Sequence, residues 1–203
     1  MEHIQADLRK RIRTLEDEFK SVLEQKERAF RYRWEDGKVR FEAKVLAEHR
    51  RLRRSLASYI GQSRLLALLT APVIYSGLIP FVALDIFLWI YQRICFPVYG
   101  VPRVARKDFL VFDRGHLKYL NILERLNCIY CSYANGMCAY VTEVAARTEQ
   151  HWCPIKHARR IRSPHSRYGH FLDYGNAEQY REGVEAVRSD FVDVRSLTRR
   201  QTE

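Results

Sequence analysis

Hydrophobic positions in the first third of the chain recur with the spacing of amphipathic helices. From residue 8 to residue 29 they alternate at intervals of four and three, the a/d pattern of a coiled coil, which Lys26 weakens. A second helical pattern runs from Val45 to Tyr59. The two patterns predict an antiparallel helical hairpin over residues 1–62. One long bent helix that forms a coiled-coil homo-oligomer is the alternative.

A long apolar segment follows this region. Residues 65–84 contain 20 residues without a charged side chain, which exceeds the threshold of about 18 for a membrane segment. Basic residues flank the segment on both sides, and by the positive-inside rule both flanks then lie in the cytoplasm. Pro72, Gly77 and Pro80 interrupt the middle. The pattern predicts a membrane-inserted hydrophobic hairpin over residues 63–101, with its turn near Ser76 to Pro80.

Asp85 is the acidic residue of this apolar segment. A charged side chain inside a bilayer is unfavourable unless it is paired or hydrated. Two interpretations stay open, a functional residue within the membrane or a residue close to water. Each arm of the hairpin would also be slightly shorter than a hydrocarbon core of about 30 Å, so a wedge in one leaflet is a further alternative.

The overall charge of the protein points to an anionic partner. The formal net charge is +11, and such an excess is typical of proteins that bind nucleic acid, anionic membranes or acidic partners. We expect no nucleic acid, because no RNA-recognition signature or paired zinc-finger motif is present. The predicted partner is a lipid bilayer with anionic lipids. Residues 159–203 are predicted to form a basic segment and a terminal helix of about residues 177–195 that Asn176 caps.

Four of the five cysteines lie within residues 128–153, with histidines beside them. In a reducing cytoplasm, structural disulfides are not expected. Thiolates and imidazoles bind zinc and iron, so the sequence predicts a zinc site or an iron–sulfur or other iron centre. The candidate metal ligands are Cys128, Cys131, Cys138, Cys153, His116, His151, His157 and Glu149. Thiols that fill a helical core and redox-active thiols are the alternatives.

The arrangement of these ligands depends on a predicted turn at Asn135. Residues 102–158 are predicted to form a Cys/His-rich helical hairpin, because Asn135 and Gly136 are typical turn residues. That hairpin would place Cys128, Cys131 and Cys138 at the turn. A second cluster at its open end would comprise His116, Glu149, His151, Cys153 and His157. The competing arrangement is a zinc knuckle with the ligands Cys128, Cys131, Cys153 and His157.

The stretch AARTEQHWCPIKHA resembles a segment found in uncharacterised bacterial membrane-associated proteins. The resemblance implies a bacterial source and no known activity. The sequence predicts an all-α protein at the inner (cytoplasmic) membrane with both termini in the cytoplasm, and no catalytic constellation is recognisable. The favoured function is a membrane-anchored metal-binding or redox module on the cytoplasmic face. The alternative is a non-enzymatic membrane scaffold or tether that uses a hydrophobic wedge and a coiled coil.

Overall fold

In a computed structural model the chain is mostly helical, as the hydrophobic pattern predicts. The structure describes residues 2–35, 38–62 and 65–195. The first two residues of the predicted membrane segment, and the predicted terminal segment from residue 196 onwards, lie outside the described residues. The chain divides into two compact units: residues 1–63 with 113–128, and residues 64–112 with 129–203.

The first unit combines helices with a short β-hairpin. Its elements are α1 (Glu2–Phe30), β1 (Tyr32–Glu35), β2 (Lys38–Phe41), α2 (Ala43–Arg51) and α3 (Leu56–Gln62). The two strands pair antiparallel, with Tyr32 opposite Phe41 and Glu35 opposite Lys38. A row of ring contacts then links Phe41 to His49 and His49 to Tyr119, each with centroids 5.0 Å apart.

This unit differs from the antiparallel helical hairpin predicted for residues 1–62. Helix α1 ends where Arg31 takes a left-handed backbone conformation with φ 51°. Tyr32 and Phe41 favour extended structure and pack across the strands with ring centroids 5.8 Å apart. The second helical pattern, from Val45 to Tyr59, is divided between α2 and α3. Local strand preference and an aromatic cross-strand pair therefore replace the predicted helix-to-helix turn.

The apolar segment forms two consecutive helices, α4 (Leu65–Ser76) and α5 (Leu78–Tyr99). The chain does not reverse between them, which contradicts the predicted turn of a membrane hairpin. Gly77 keeps helical dihedral angles, φ −59° and ψ −16°. Pro80 lies in the first turn of α5, where its missing N–H leaves no helical hydrogen bond unmade. Gly77 and Pro80, which predicted a turn, therefore lie where the chain continues from α4 into α5 without reversing.

Helix α5 ends at Gly100, and the chain then turns back along it. Gly100 is left-handed with φ 66°, and the Val101 N–H donates to the Phe96 carbonyl at 2.9 Å. Residues 101–112, called here the return segment, then run beside α5. They are irregular apart from one 3-10 turn, Arg106–Asp108.

The predicted helical hairpin of residues 102–158 is instead one long helix, α6 (Ile122–Trp152). Its N-terminus is a capping box, in which the Asn121 Oδ1 accepts from the Glu124 N–H and the Glu124 Oε2 accepts from the Asn121 N–H, at 3.0 and 2.8 Å. The turn predicted at Asn135 is wrong. The Asn135 Nδ2 donates to the Cys131 carbonyl one turn earlier, at 2.9 Å, and Gly136 is buried. A Cβ at Gly136 would stand 2.7 Å from the Phe109 carbonyl oxygen. The glycine is therefore needed for close packing of the return segment against α6, and it does not form a turn.

The second unit has a continuous hydrophobic core between α5, the return segment, α6 and the C-terminal part of the chain. Its buried members are Leu88, Phe96, Val101, Val104, Leu110, Met137, Tyr140, Val144, Phe191 and Val194. Helix α7 (Ala177–Ser189) begins at Asn176, whose Oδ1 accepts from the Gln179 N–H at 3.0 Å, as predicted.

Arg167 connects the C-terminal part of this unit to α6. The side chain of Arg167 is only 2% exposed. It donates to the Gln150 Oε1, pairs with the Asp193 carboxylate and reaches the Asp190 carbonyl. A guanidinium with this many fixed partners orients the segment around Asp190 over α6.

Candidate membrane interface

Helices α4 and α5 carry a row of large apolar side chains that face away from the core. Their exposure is high, for example 73% at Ile79 and 77% at Val98. This outer apolar face comprises Leu66, Leu69, Val73, Ile74, Ile79, Val82, Ile86, Phe87, Trp89, Ile90, Ile94 and Val98. Among the described residues, one helical stretch, Leu68–Tyr99, is long and apolar enough to cross a membrane, and 6% of its most apolar window is buried inside the protein. By length and composition, α4 and α5 are therefore candidates for contact with lipid.

The opposite side of α5 is packed against protein. Leu88, Gln92 and Phe96 follow one another at intervals of four residues and are 5%, 4% and 0% exposed. An interval of four residues keeps side chains on one helix face. Helix α5 therefore has two unlike sides, an inner side in the core of the second unit and an outer side without a protein partner among the described residues.

Gln92 is a buried polar residue on the inner side of α5. Its Oε1 accepts from the Val104 N–H at 2.6 Å, and its Nε2 donates to the Tyr140 hydroxyl at 2.5 Å. A buried amide requires such partners, because an unpaired polar group in an apolar core is strongly unfavourable. The two contacts attach both the return segment and α6 to the middle of α5.

Asp85 forms an ion pair, so its charge is compensated within the second unit. The Arg106 Nε lies 3.0 Å from the Asp85 Oδ1, and the Arg106 Nη2 lies 2.7 Å from the Oδ2. The Tyr133 hydroxyl also donates to Oδ2, at 3.0 Å. The hydrogen bond to Asp85 raises the pKa of Arg106, and burial, reinforced by the same carboxylate, raises the pKa of Tyr133. Both groups thus stay protonated donors over the physiological pH range.

A shallow depression of about 300 Å³ adjoins the outer apolar face. Its lining includes Trp89 with three arginines, Arg93, Arg103 and Arg106. The Arg93 guanidinium lies over the Trp89 ring, 4.2 Å from the centroid. We call this the arginine depression. Sequence reasoning missed it, because Arg103 and Arg106 were counted only as flanking charge, and no periodic pattern indicates that the return segment folds back onto α5.

The candidate metal ligands are distributed over several elements. Cys128, Cys131 and Cys138 lie on α6, and Cys153 follows its end. All five cysteines of the chain are free thiols, four of them exposed or half-buried around α6. Since α6 does not turn at Asn135, the geometric reason for a thiol cluster at that point is removed.

The histidine and glutamate candidates have other contacts. The His151 ring stacks on Tyr99 with centroids 4.8 Å apart, and burial together with the charge of Arg188 lowers the pKa of His151. His157 stacks on Tyr168, and Glu149 pairs with the His165 Nε2 at 3.1 Å. His116 belongs to a 3-10 turn of the first unit, Asp113–His116.

Among the described residues, no three His, Cys, Asp or Glu side chains form a group that could hold a metal ion. The zinc or iron site therefore stays a prediction.

Comparison with known proteins adds no relative. No protein-family model, curated protein or solved structure matches the chain. The features of the chain that bear on function are therefore the outer apolar face, the arginine depression and the contacts beneath them.

Proposed function

We propose that the chain is a non-enzymatic membrane scaffold, held on the bilayer by the outer apolar face and presenting α1 as a helical arm. The observation that carries this proposal is the difference between the two sides of α5. An apolar surface of this extent is uncommon on soluble monomers and marks contact with a membrane or another protein. The chain's net charge of +11 favours the membrane, because anionic headgroups attract basic residues.

Helix α1 supports the proposed role as an arm. Its predicted a/d residues Leu15, Phe19 and Val22 are exposed, by 63%, 66% and 47%. In a coiled coil such residues are covered by a second helix. We propose that a second copy of the chain provides that helix, so that the protein tethers or clusters at the membrane.

The proposed location is the cytoplasmic face of a bacterial inner membrane. Its support is the basic character of both flanks of the apolar segment, with Arg53 and Arg54 before it and Arg103 and Lys107 after it. Positively charged flanks are retained on the cytoplasmic side.

Membrane extraction tests the proposed anchoring. Protein in isolated membranes should resist washing with high salt and with alkaline carbonate, and detergent should release it. The triple variant I79Q/I86Q/I94Q should shift to the soluble fraction, because it places three amides on the outer apolar face. A matched control, V111Q/I122Q/V192Q, changes three exposed apolar residues elsewhere and should remain with the membrane. Wild-type protein in the soluble fraction would contradict the proposal.

A further inference from the structure

We infer that α4 and α5 lie along one leaflet of an anionic bilayer and do not cross it. In this arrangement the outer apolar face contacts the acyl chains, and the arginine depression lies at the level of the lipid phosphates. Arg93 follows Ile86 by seven residues on the same side of α5, and its long side chain extends from that side to the phosphates. The inference rests on the proposed membrane anchoring and specifies its geometry and its lipid.

The length of the helical stretch and the position of its charge argue against a crossing. Leu68–Tyr99 contains 32 residues, so a straight helix would measure about 48 Å, against a hydrocarbon core of about 30 Å. Asp85 lies near the middle of that stretch. A crossing helix would hold Asp85 close to the bilayer mid-plane, together with Arg106, whose side chain is 46% exposed. An exposed guanidinium at that depth is strongly unfavourable.

The return segment gives a second, independent argument. It is irregular and contacts α5 at Gln92 and at Asp85. Because α5 and the return segment run side by side, a crossing α5 would carry this backbone into the hydrocarbon. Irregular backbone exposed to lipid is not tolerated there, since its N–H and C=O groups would lack partners. An orientation in the membrane plane keeps the return segment and its polar groups on the side away from the acyl chains.

The one-sided distribution of apolar residues fits a helix in the membrane plane. A crossing helix contacts lipid around most of its circumference, whereas an interfacial helix buries one face. In α5 the residues Ile79, Ile86 and Ile94 are exposed while Leu88 and Phe96 are buried.

The arginine depression identifies the lipid chemistry. The guanidinium group of arginine presents a fork of N–H donors that matches the oxygens of a phosphate. Arg106 is engaged with Asp85, which leaves the Arg93 and Arg103 guanidiniums to face a phosphate in the depression. Trp89 on the same rim is a residue type that prefers the membrane–water interface. The matching ligand is the phosphate of an anionic phospholipid.

Depth measurements along α5 test the orientation. The substitutions I79W, I86W and I94W would be introduced one at a time into the tryptophan-free variant W34F/W89F/W152F. Each protein would float with phosphatidylglycerol-containing vesicles, and spin-labelled lipids would quench the tryptophan. In-plane docking predicts equal depth at all three positions. A crossing helix predicts depths that differ by up to about 22 Å between positions 79 and 94, and such a gradient would overturn the inference.

Other outcomes separate this inference from the proposed function. Wild-type protein that neither floats nor resists extraction would overturn both. A soluble dimer whose tryptophans are not quenched by spin-labelled lipids would also overturn both. It would indicate that a second copy of the chain covers the outer apolar face. Reporter fusions at the N-terminus and after Gly175 provide a measurement in the unaltered helix. They should report the same side of the membrane, and opposite sides would establish a crossing while leaving the anchoring intact.

Vesicle binding tests the lipid phosphate. The variant R93Q/R103Q should bind anionic vesicles about 20- to 30-fold more weakly, because each basic residue at an anionic surface contributes a factor of roughly five. Binding to zwitterionic vesicles should not change. The control variant K20Q/R28Q removes the same amount of positive charge from α1. The logarithm of its affinity for anionic vesicles should fall by less than half as much as in R93Q/R103Q. Equal losses in the two variants would show only a general charge effect and would overturn the assignment of the depression.

Discussion

The Arg106 guanidinium pairs with the Asp85 carboxylate through three hydrogen bonds, and the shortest joins Nη2 to Oδ2 at 2.7 Å. The two residues are 21 positions apart in the sequence. Tyr133 on α6 donates to the same carboxylate, so α5, the return segment and α6 meet at one negative charge. A charge that would be unfavourable in an apolar helix thereby holds three segments of the second unit together.

Removing either partner of this ion pair should destabilise the second unit. We expect Arg106→Gln and Asp85→Asn each to lower the free energy of unfolding by about 1–2 kcal/mol. This is towards the lower end of the range for hydrogen bonds to charged groups, because solvent reaches Arg106. The double variant D85N/R106Q should lose less than the sum, since both single changes remove the same contact. Urea unfolding in detergent, followed by circular dichroism, measures all three. Strictly additive losses would contradict the coupling.

Gly136 should not tolerate a side chain. Its Cβ would meet the Phe109 carbonyl oxygen at 2.7 Å and the Leu110 Cγ at 3.2 Å, so Gly136→Ala should force the return segment away from α6. We expect a loss of about 1–3 kcal/mol. Gly61→Ala is the matched control, because Gly61 is also helical and has open space around it. That change should be neutral or stabilise by up to about 1 kcal/mol, and equal effects of the two changes would refute the argument.

Gly136 also illustrates what the sequence could and could not predict. The helix class, the apolar segment and the Asn176 cap follow from local patterns that the chain itself contains. Asn135 and Gly136 carry a local turn signal, and nothing nearby in the sequence indicates that Phe109 requires a gap at this position. Tertiary contact decided the conformation. The same holds for Arg106, whose partner is 21 residues earlier in the chain.

The candidate site shows the same division between local and tertiary information. The predominantly apolar composition of α5 predicts that large apolar side chains cover most of its surface. The division of α5 into an outer and an inner side does not follow from that composition, because Leu88 and Ile86 are equally apolar and only packing distinguishes them. The predicted two-cluster arrangement of the Cys/His residues depended on a turn at Asn135, and the tertiary packing of α6 excludes that turn.

The ion pair between Arg167 and Asp193 should make stability depend on pH. Burial acts to raise the pKa of Asp193, but the hydrogen bond and charge of Arg167 outweigh it and hold the pKa below its ordinary value. A carboxyl whose folded pKa is depressed stabilises the protein fully above its unfolded pKa of about 3.9 and loses this contribution as the pH falls towards the folded value. Asp193→Asn should therefore reduce stability more at pH 7 than at pH 3, because the contribution of the ionised carboxylate begins to be lost below about pH 4. Urea unfolding at the two pH values measures this, and an identical difference at both would contradict it.

The basic segment after α6 offers a separate test of lipid contact. Arg159, Arg160 and Arg162 are exposed, and the variant R159Q/R160Q/R162Q should weaken binding of the full chain to anionic vesicles. The loss should shrink as salt rises, because exposed charges are screened over about 8 Å at physiological ionic strength. Arg167 must stay unchanged in this experiment, since it is buried and paired. Unchanged binding at low salt would leave the segment as an ordinary solvated region.

The cysteines of α6 allow a direct test of the metal prediction. Cys131 and Cys138 are seven residues apart on one helix, or about 10 Å along its axis, whereas two thiolates that bind one zinc ion each lie about 2.3 Å from the metal. Cys128 and Cys131 are one turn apart and could provide at most two of four ligands. The geometry of α6 therefore predicts well below one zinc or iron ion per chain in elemental analysis of detergent-purified protein, whereas the sequence prediction requires about one. The variant C128S/C131S should keep the same metal content and the same melting temperature.

Stoichiometric zinc or iron that is lost in this variant, together with a fall in melting temperature, would contradict the expectation. It would instead support the metal-binding module that the sequence favours, because structural metal binding is coupled to folding.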